Sequence, residues 1–251
     1  MPDNKQITKW ENLKAFTDAR IALGRTGVSM PNKENLSFKM AHANARDAVY
    51  EKMDNHLLIE QLSSLNHPVI ELQTKANNRF NYLLRPDLGR SLDAGSVEKV
   101  KAEIQQDNFD ICIIIADGLS ATAVHHHIVN LIQILFPLLQ KNEFTITPFC
   151  FVQQARVAIS DEIGFLSRAK LAIIFLGERP GLSAADSLGA YLTYLPTPGN
   201  TDAMRNCISN IREKGLSYHD AANKILGLIK ESMRLKISGV LLKDNDSLKL
   251  I

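Results

Sequence analysis

The run Leu171-Ala-Ile-Ile-Phe-Leu176 constrains this chain most. It is a continuous apolar stretch of strand length. A strand without a polar face fits where both faces of its sheet are covered, as in a parallel sheet between helices. The run stops at Gly177-Glu178-Arg179-Pro180-Gly181, where two glycines and a proline mark a turn. A second run, Phe109 to Ala116, centres on Ile111-Cys112-Ile113-Ile114-Ile115 and ends at Asp117-Gly118-Leu119-Ser120. In open α/β sheets, ligands sit in the crevice beyond the carboxyl ends of the strands. Glu178 is therefore a polar side chain where such a fold binds ligands. It reads equally well as a solvated turn residue.

The flanking chain supplies helices. Ile7, Trp10, Leu13 and Phe16 recur at helical spacing. A longer helix is expected from Leu36 to Met53, rich in alanine but with a poorly defined apolar face. Leu57 to Leu65 forms another, ended by Asn66-His67-Pro68, because the residue before a proline leaves the helical region. A domain boundary is expected there. Beyond it, Val69 to Leu72 reads as a weak strand, and from Gly95 helix and strand alternate. Ser96 is expected to cap a helix ending near Gln106, Ser120 a long helix that Pro137 kinks or ends, and Ser160 a third, with Asp161 and Glu162 in its first turn. Phe144 to Val152, interrupted by Pro148, and Tyr191 to Leu195 read as strands. Ala203 to Ile211 and Tyr218 to Leu235 read as helices, and Leu248, Leu250 and Ile251 are candidates to pair with a sheet edge.

Several function classes are disfavoured at once. A formal net charge of +2 calls for neither nucleic acid nor an anionic membrane. Cys112, Cys150 and Cys207 are scattered without a CxxC pair, so neither a disulfide framework nor a zinc site is indicated and a cytoplasmic setting is expected. The polar N-terminus carries no secretory signal, and no run approaching the roughly 20 apolar residues of a membrane span is apparent. His125-His126-His127 is a tempting metal site, yet consecutive helical residues point about 100° apart, so three such imidazoles do not converge on one ion. Arg85 and Arg90 flank a proline and a glycine; they read as an anion clamp or as surface residues. The Asp117-to-Ser120 turn lacks a glycine-rich nucleotide fingerprint. Ser120 there is a helix cap or, with Asp117, part of a ligand site in a stand-alone α/β nucleotide-binding enzyme.

Six segments together carry a family resemblance: Ala19-Arg20-Ile21-Ala22-Leu23-Gly24-Arg25, Ala41-His42-Ala43-Asn44-Ala45-Arg46-Asp47, Arg85-Pro86-Asp87-Leu88-Gly89-Arg90, Asp117-Gly118-Leu119-Ser120, Gly177-Glu178-Arg179-Pro180-Gly181 and Asn206-Cys207-Ile208-Ser209-Asn210-Ile211. In order and spacing the chain resembles the small subunits of ethanolamine ammonia-lyase. The resemblance implies an α/β fold in two parts, a helical N-terminal domain (1–66) and a Rossmann-like domain with a mostly parallel sheet (67–251). It implies adenosylcobalamin as cofactor, held between this subunit and a large barrel subunit that binds most of the ethanolamine. The reaction implied is the radical conversion of ethanolamine to acetaldehyde and ammonia. Three cofactor contacts carry over, onto Val157, Glu178 and Cys207; no catalytic residue and no metal ligand does. Each also has a plainer reading, Val157 and Cys207 as core residues above all. A higher hetero-oligomer and a bacterial microcompartment are further implications. A scaffold subunit without cofactor contact is the other alternative.

Overall fold

The computed structural model describes residues 12–17, 19–105 and 108–242. In chain order its main elements are α1 (Asn32–Tyr50), α2 (Asn55–Leu62), β1 (Val69–Gln73), α3 (Arg79–Leu84), α4 (Ala94–Glu103), β2 (Ile111–Ala116), α5 (Ala121–Lys141), β3 (Phe149–Gln153), α6 (Ile159–Leu166), β4 (Leu171–Gly177), β5 (Leu188–Tyr194), β6 (Arg205–Ile211) and α7 (Tyr218–Leu235). The six strands form one sheet in the order β1-β3-β2-β4-β5-β6. The first four run parallel, and β5 pairs antiparallel with both β4 and β6. The mixed α/β architecture with a mostly parallel sheet is the one expected.

The apolar runs take the central positions. Every residue of β2 and β4 is buried. Ile111, Ile113 and Ile115 face a layer containing Leu58 of α2, Ile128 and Leu135 of α5 and Ile225 of α7. Cys112, Ile114 and Ala116 face Val100 of α4 and Ile159 and Ile163 of α6. Each fully enclosed isoleucine contributes on the order of 2 kcal/mol, so these strands anchor the fold. By contrast α1 buries only Ala48 and leaves Leu36, Met40 and Tyr50 exposed, which matches its ill-defined apolar face.

Several local expectations change. The helix cap before α4 is Asp93, which accepts from Ser96 N–H; Ser96 Oγ instead accepts from Gln73 N–H of β1. Ser160 lies inside α6 and donates to Val157 O rather than capping. Pro137 does not end α5. It sits on the exposed side, one turn after the exposed Gln133, while Leu135, Phe136 and Leu139 continue the buried stripe to Lys141. At 21 residues α5 is long and apolar enough to cross a membrane by length and composition, contrary to expectation; half of it is buried inside the protein. Residues 12–16 form a 3-10 turn, while Ile7, Trp10 and the tail residues 248–251 lie outside the described residues.

The largest correction is β6, expected as a helix over 203–211. Its buried residues are Arg205, Ile208 and Ile211, spaced three apart as on a helix face. From Arg205 to Ile208 the pairing is regular and the two are buried on opposite faces, Arg205 against Asp161 of α6 and Ile208 in the layer with α5 and α7; from Ile208 to Ile211 the spacing comes from a β-bulge. Ile208 lies opposite Ala190 and Ile211 opposite Leu188, so β6 carries an extra residue across from Gly189.

Candidate functional site

The chain leaves β2 toward β3 on one side, whereas β4 pairs with β2 on the other. The carboxyl ends of β2 and β4 therefore flank the topological switch point, the usual ligand crevice of an open α/β sheet. Ala116 and Leu176 are paired, and the two following turns interlock. Leu119 N–H donates to Gly177 O at 2.9 Å. Gly118 has φ +57°, and a Cβ there would stand 2.3 Å from Gly177 O. A Cβ on Gly177 would stand 1.9 Å from Ser120 O. Only glycines allow these turns to meet, which keeps backbone at the cleft floor.

Ser120 is committed to structure. Its Oγ accepts from Ala123 N–H at 3.2 Å, capping α5, and donates to Ala185 O at 2.8 Å. Asp117 is likewise enclosed, at 1% exposure. Its carboxylate accepts from Gln154 N–H at 3.0 Å, Ala155 N–H at 3.1 Å and Arg79 Nη1 at 3.4 Å. Burial pushes its pKa upward, while Arg79 and those amides oppose the shift. Arg79 also donates to Val49 O and Gly118 O, tying α1 and the β2 turn to one guanidinium.

A cleft of about 410 Å³ opens above these turns. Leu119, Val157 and Leu176 give it apolar wall; Glu178, Arg156 and the Tyr82 and Tyr191 rings give it polar edges. Tyr82 is buried, with the guanidiniums of Arg79 and Arg156 at 4.7 and 4.1 Å from its ring centroid. Its hydroxyl donates to Ala155 O at 3.0 Å, and burial raises its pKa. Arg156 Nη2 in turn donates to Tyr82 O at 3.1 Å. This cluster fixes the loop that carries Val157.

Glu178 and Val157 thus line one cleft, although 21 residues separate them in sequence. Cys207 does not line it. It sits across from Tyr191 in the β5–β6 register. Desolvation, with help from the nearby Glu178 carboxylate, holds its thiol above the usual value, with Tyr191 opposing. A protonated thiol is a poor nucleophile, in line with a contact role. Sequence reasoning missed Tyr82, Arg156 and Tyr191, whose positions follow from tertiary packing, and Ser187 and Ser209, which donate to Glu178. Ser209 had a signal: it follows Cys207 by two residues, within the same segment.

Other candidates fall outside the cleft. Arg85 pairs with Asp87 at 2.7 Å on the surface, and Arg90 lines a separate cleft with Asp161 and Glu162, so the two form no anion clamp. The three histidines do not converge. His125 bonds Glu51 and Asp54 N–H, whereas His127 bridges Tyr218 Oη at 2.8 Å and Asp186 at 3.3 Å. His126 nonetheless approaches the same Asp186 at 4.0 Å, closer to its neighbour than helical angles alone suggest. Among the described residues, His126, His127 and Asp186 are the one group with ligand-type atoms all within 4.8 Å of one another.

Comparison with known proteins identifies the family. The family model described as Ethanolamine ammonia-lyase light chain (EutC) matches residues 7–243. The chain is 48% identical over 237 residues to an ethanolamine ammonia-lyase small subunit from Bradyrhizobium diazoefficiens, covering 94% of this chain and 90% of that protein. It is 46% identical over 244 residues to the small subunit from Ralstonia nicotianae (96% and 90% covered). Against the Pseudomonas aeruginosa small subunit it is 46% identical over 246 residues (97% and 90%). The chain belongs to the ethanolamine ammonia-lyase light chain family, a family of lyase subunits.

Proposed function

We propose that this chain is the cofactor-contacting small subunit of an adenosylcobalamin-dependent ethanolamine ammonia-lyase, converting ethanolamine to acetaldehyde and ammonia together with a large subunit. The observation that carries the reading is the cleft at the β2/β4 switch point, which Val157 and Glu178 both line, with Cys207 beside Tyr191. The cleft is open and much smaller than a corrinoid, so it accepts one edge of such a molecule, the rest being covered by a partner. Its chemistry fits that edge. Val157, Leu119 and Leu176 offer apolar surface to ring or base, and the Glu178 carboxylate accepts hydrogen bonds from amide side chains on the corrin rim. When bound, the cofactor supplies the radical chemistry; the residues of this chain bind and orient it. Ethanolamine is bound mainly by the large subunit.

Asp117 and Ser120, the candidates for a stand-alone nucleotide-binding enzyme, are both engaged within the fold, which supports the subunit reading over that alternative. The reading carries with it a higher hetero-oligomer and a cytoplasmic setting, with a bacterial microcompartment as the narrower location. The three unpaired cysteines support a reducing compartment. It also divides the chain at residue 66, the helical part before it and the cobalamin-contacting part after it.

The test is acetaldehyde formation from ethanolamine by the co-expressed subunits, with and without adenosylcobalamin, together with Glu178→Ala. Activity should need both chains and the cofactor. In the variant, the cofactor concentration for half-saturation should rise about tenfold while the complex still assembles. An unchanged requirement for cofactor in Glu178→Ala would favour the scaffold reading.

A further inference from the structure

Glu178 is not a free side chain in a turn. Its own N–H donates to Ser187 O at 2.9 Å, which extends the β4–β5 ladder by one residue. Ser187 Oγ donates to Oε2 at 2.5 Å. Ser209 Oγ lies 2.7 Å from Oε1 and 2.9 Å from Oε2, and Asn210 N–H donates to Oε2 at 3.3 Å. Two of these donors belong to the bulge in β6. There Ser209 and Asn210 face the single residue Gly189, and Asn210 adopts φ +60°, a region uncommon for residues other than glycine. The irregularity is what brings a hydroxyl and the next backbone N–H to one carboxylate; a regular strand alternates its side chains between faces. Gly189 completes the cradle, since a Cβ there would stand 3.0 Å from Oε1.

A carboxylate has about four acceptor sites. Ser187, Ser209 and Asn210 occupy them unevenly, loading Oε2 more heavily than Oε1. We propose that the Ser209–Asn210 bulge is the positioning device for Glu178, with Ser209 its main side chain. It fixes the carboxylate in one orientation, leaving acceptor capacity on Oε1 for an amide N–H of the corrinoid rim. The proposal rests on the cofactor reading given above and adds to it a named positioning residue. Holding the side chain in place before binding removes the ordering cost that a mobile glutamate would incur on association.

The test uses the assembled complex with the large subunit and cyanocobalamin as probe, its dissociation constant read by equilibrium dialysis. Glu178→Gln should weaken binding about tenfold and Ser209→Ala about fivefold. The double variant should bind no more weakly than Glu178→Gln alone, because Ser209 acts through that carboxylate. Ser209→Thr, which keeps the hydroxyl, should stay within about twofold of the parent. The proposal is overturned if Ser209→Ala leaves affinity unchanged while Glu178→Gln weakens it, or if the two losses multiply. If Glu178→Gln itself has no effect, the cofactor reading of the cleft fails first, and the positioning role falls with it. Should Ser209→Ala not assemble, Ser187→Ala probes the same carboxylate and is expected to show the same non-additivity.

Discussion

Asp117 and Glu178 occupy equivalent places with opposite surroundings. Each is the first residue beyond a central parallel strand, β2 or β4, and those strands are neighbours. Asp117 is closed off, its oxygens bonded to two consecutive backbone amides and a guanidinium from two other parts of the chain. Glu178 stands at the cleft wall, steadied by hydroxyls and one amide, with an edge toward the open space. The lesson is that position at a strand end does not decide a carboxylate's role. What decides it is whether the fold's own donors fill its acceptor sites or leave one for a visitor.

Substitutions separate the two carboxylates. The largest loss is expected from Asp117→Ala, which strands Arg79 and orphans two amides. Removing one partner of a buried ion pair costs about 3–5 kcal/mol, read as a lowered urea midpoint. Gly177→Ala comes next, because its new Cβ meets the Ser120 carbonyl; we expect about 3 kcal/mol by the same measurement. Ser120→Ala removes the α5 cap and the bond to Ala185 O and should cost about 1–2 kcal/mol. Glu178→Ala should cost under about 1 kcal/mol in stability, because its donors can turn to water. A Glu178→Ala loss as large as that of Asp117→Ala would mean that both carboxylates are structural.

The smallest effect concerns a half-buried histidine away from both carboxylates. His67 packs against Phe136 and Phe149, donates from Nε2 to Thr147 O at 2.8 Å, and has its pKa lowered by burial. A lowered imidazole pKa means the native state binds fewer protons than the unfolded chain just below the ordinary value of 6.5. Stability is therefore full above that pH and is lost as pH falls below it toward the native pKa. Unfolding curves at pH 7.5 and pH 5.5 should show this decline, and His67→Gln should reduce it, leaving the part due to His127, whose pKa burial also lowers.

How much of this was legible depended on whether the cause was local. Ile111 to Ile115 and Leu171 to Leu176 announced central strands because burial on both faces leaves no polar alternation. Helix α7 was legible from its amphipathic period, and Ser120 as a cap from the turn before it. The segment 205–211 imitates a helix because burial on both faces spaces Arg205 and Ile208 three apart, and the bulge does the same for Ile208 and Ile211. Asp93 displaced Ser96 as a cap because Ser96 is drawn to the β1 backbone, a contact no sequence window contains. At the site, Glu178 was visible from its turn. Tyr82 and Arg156 were not, because their meeting joins segments 74 residues apart.

The strand order also has a consequence in time. β2 lies between β3 and β4, both of which follow it along the chain. During synthesis its run of isoleucines emerges with neither hydrogen-bonding neighbour yet made. The second neighbour is complete only at Gly177, some sixty residues after Ala116. At about 5–20 residues per second that is a delay of roughly 3–12 s. An apolar, β-branched and uncharged segment with two open edges is the kind that pairs with other chains. The yield of soluble protein should therefore depend on what shelters residues 111–116 during those seconds more than on the stability of the finished sheet.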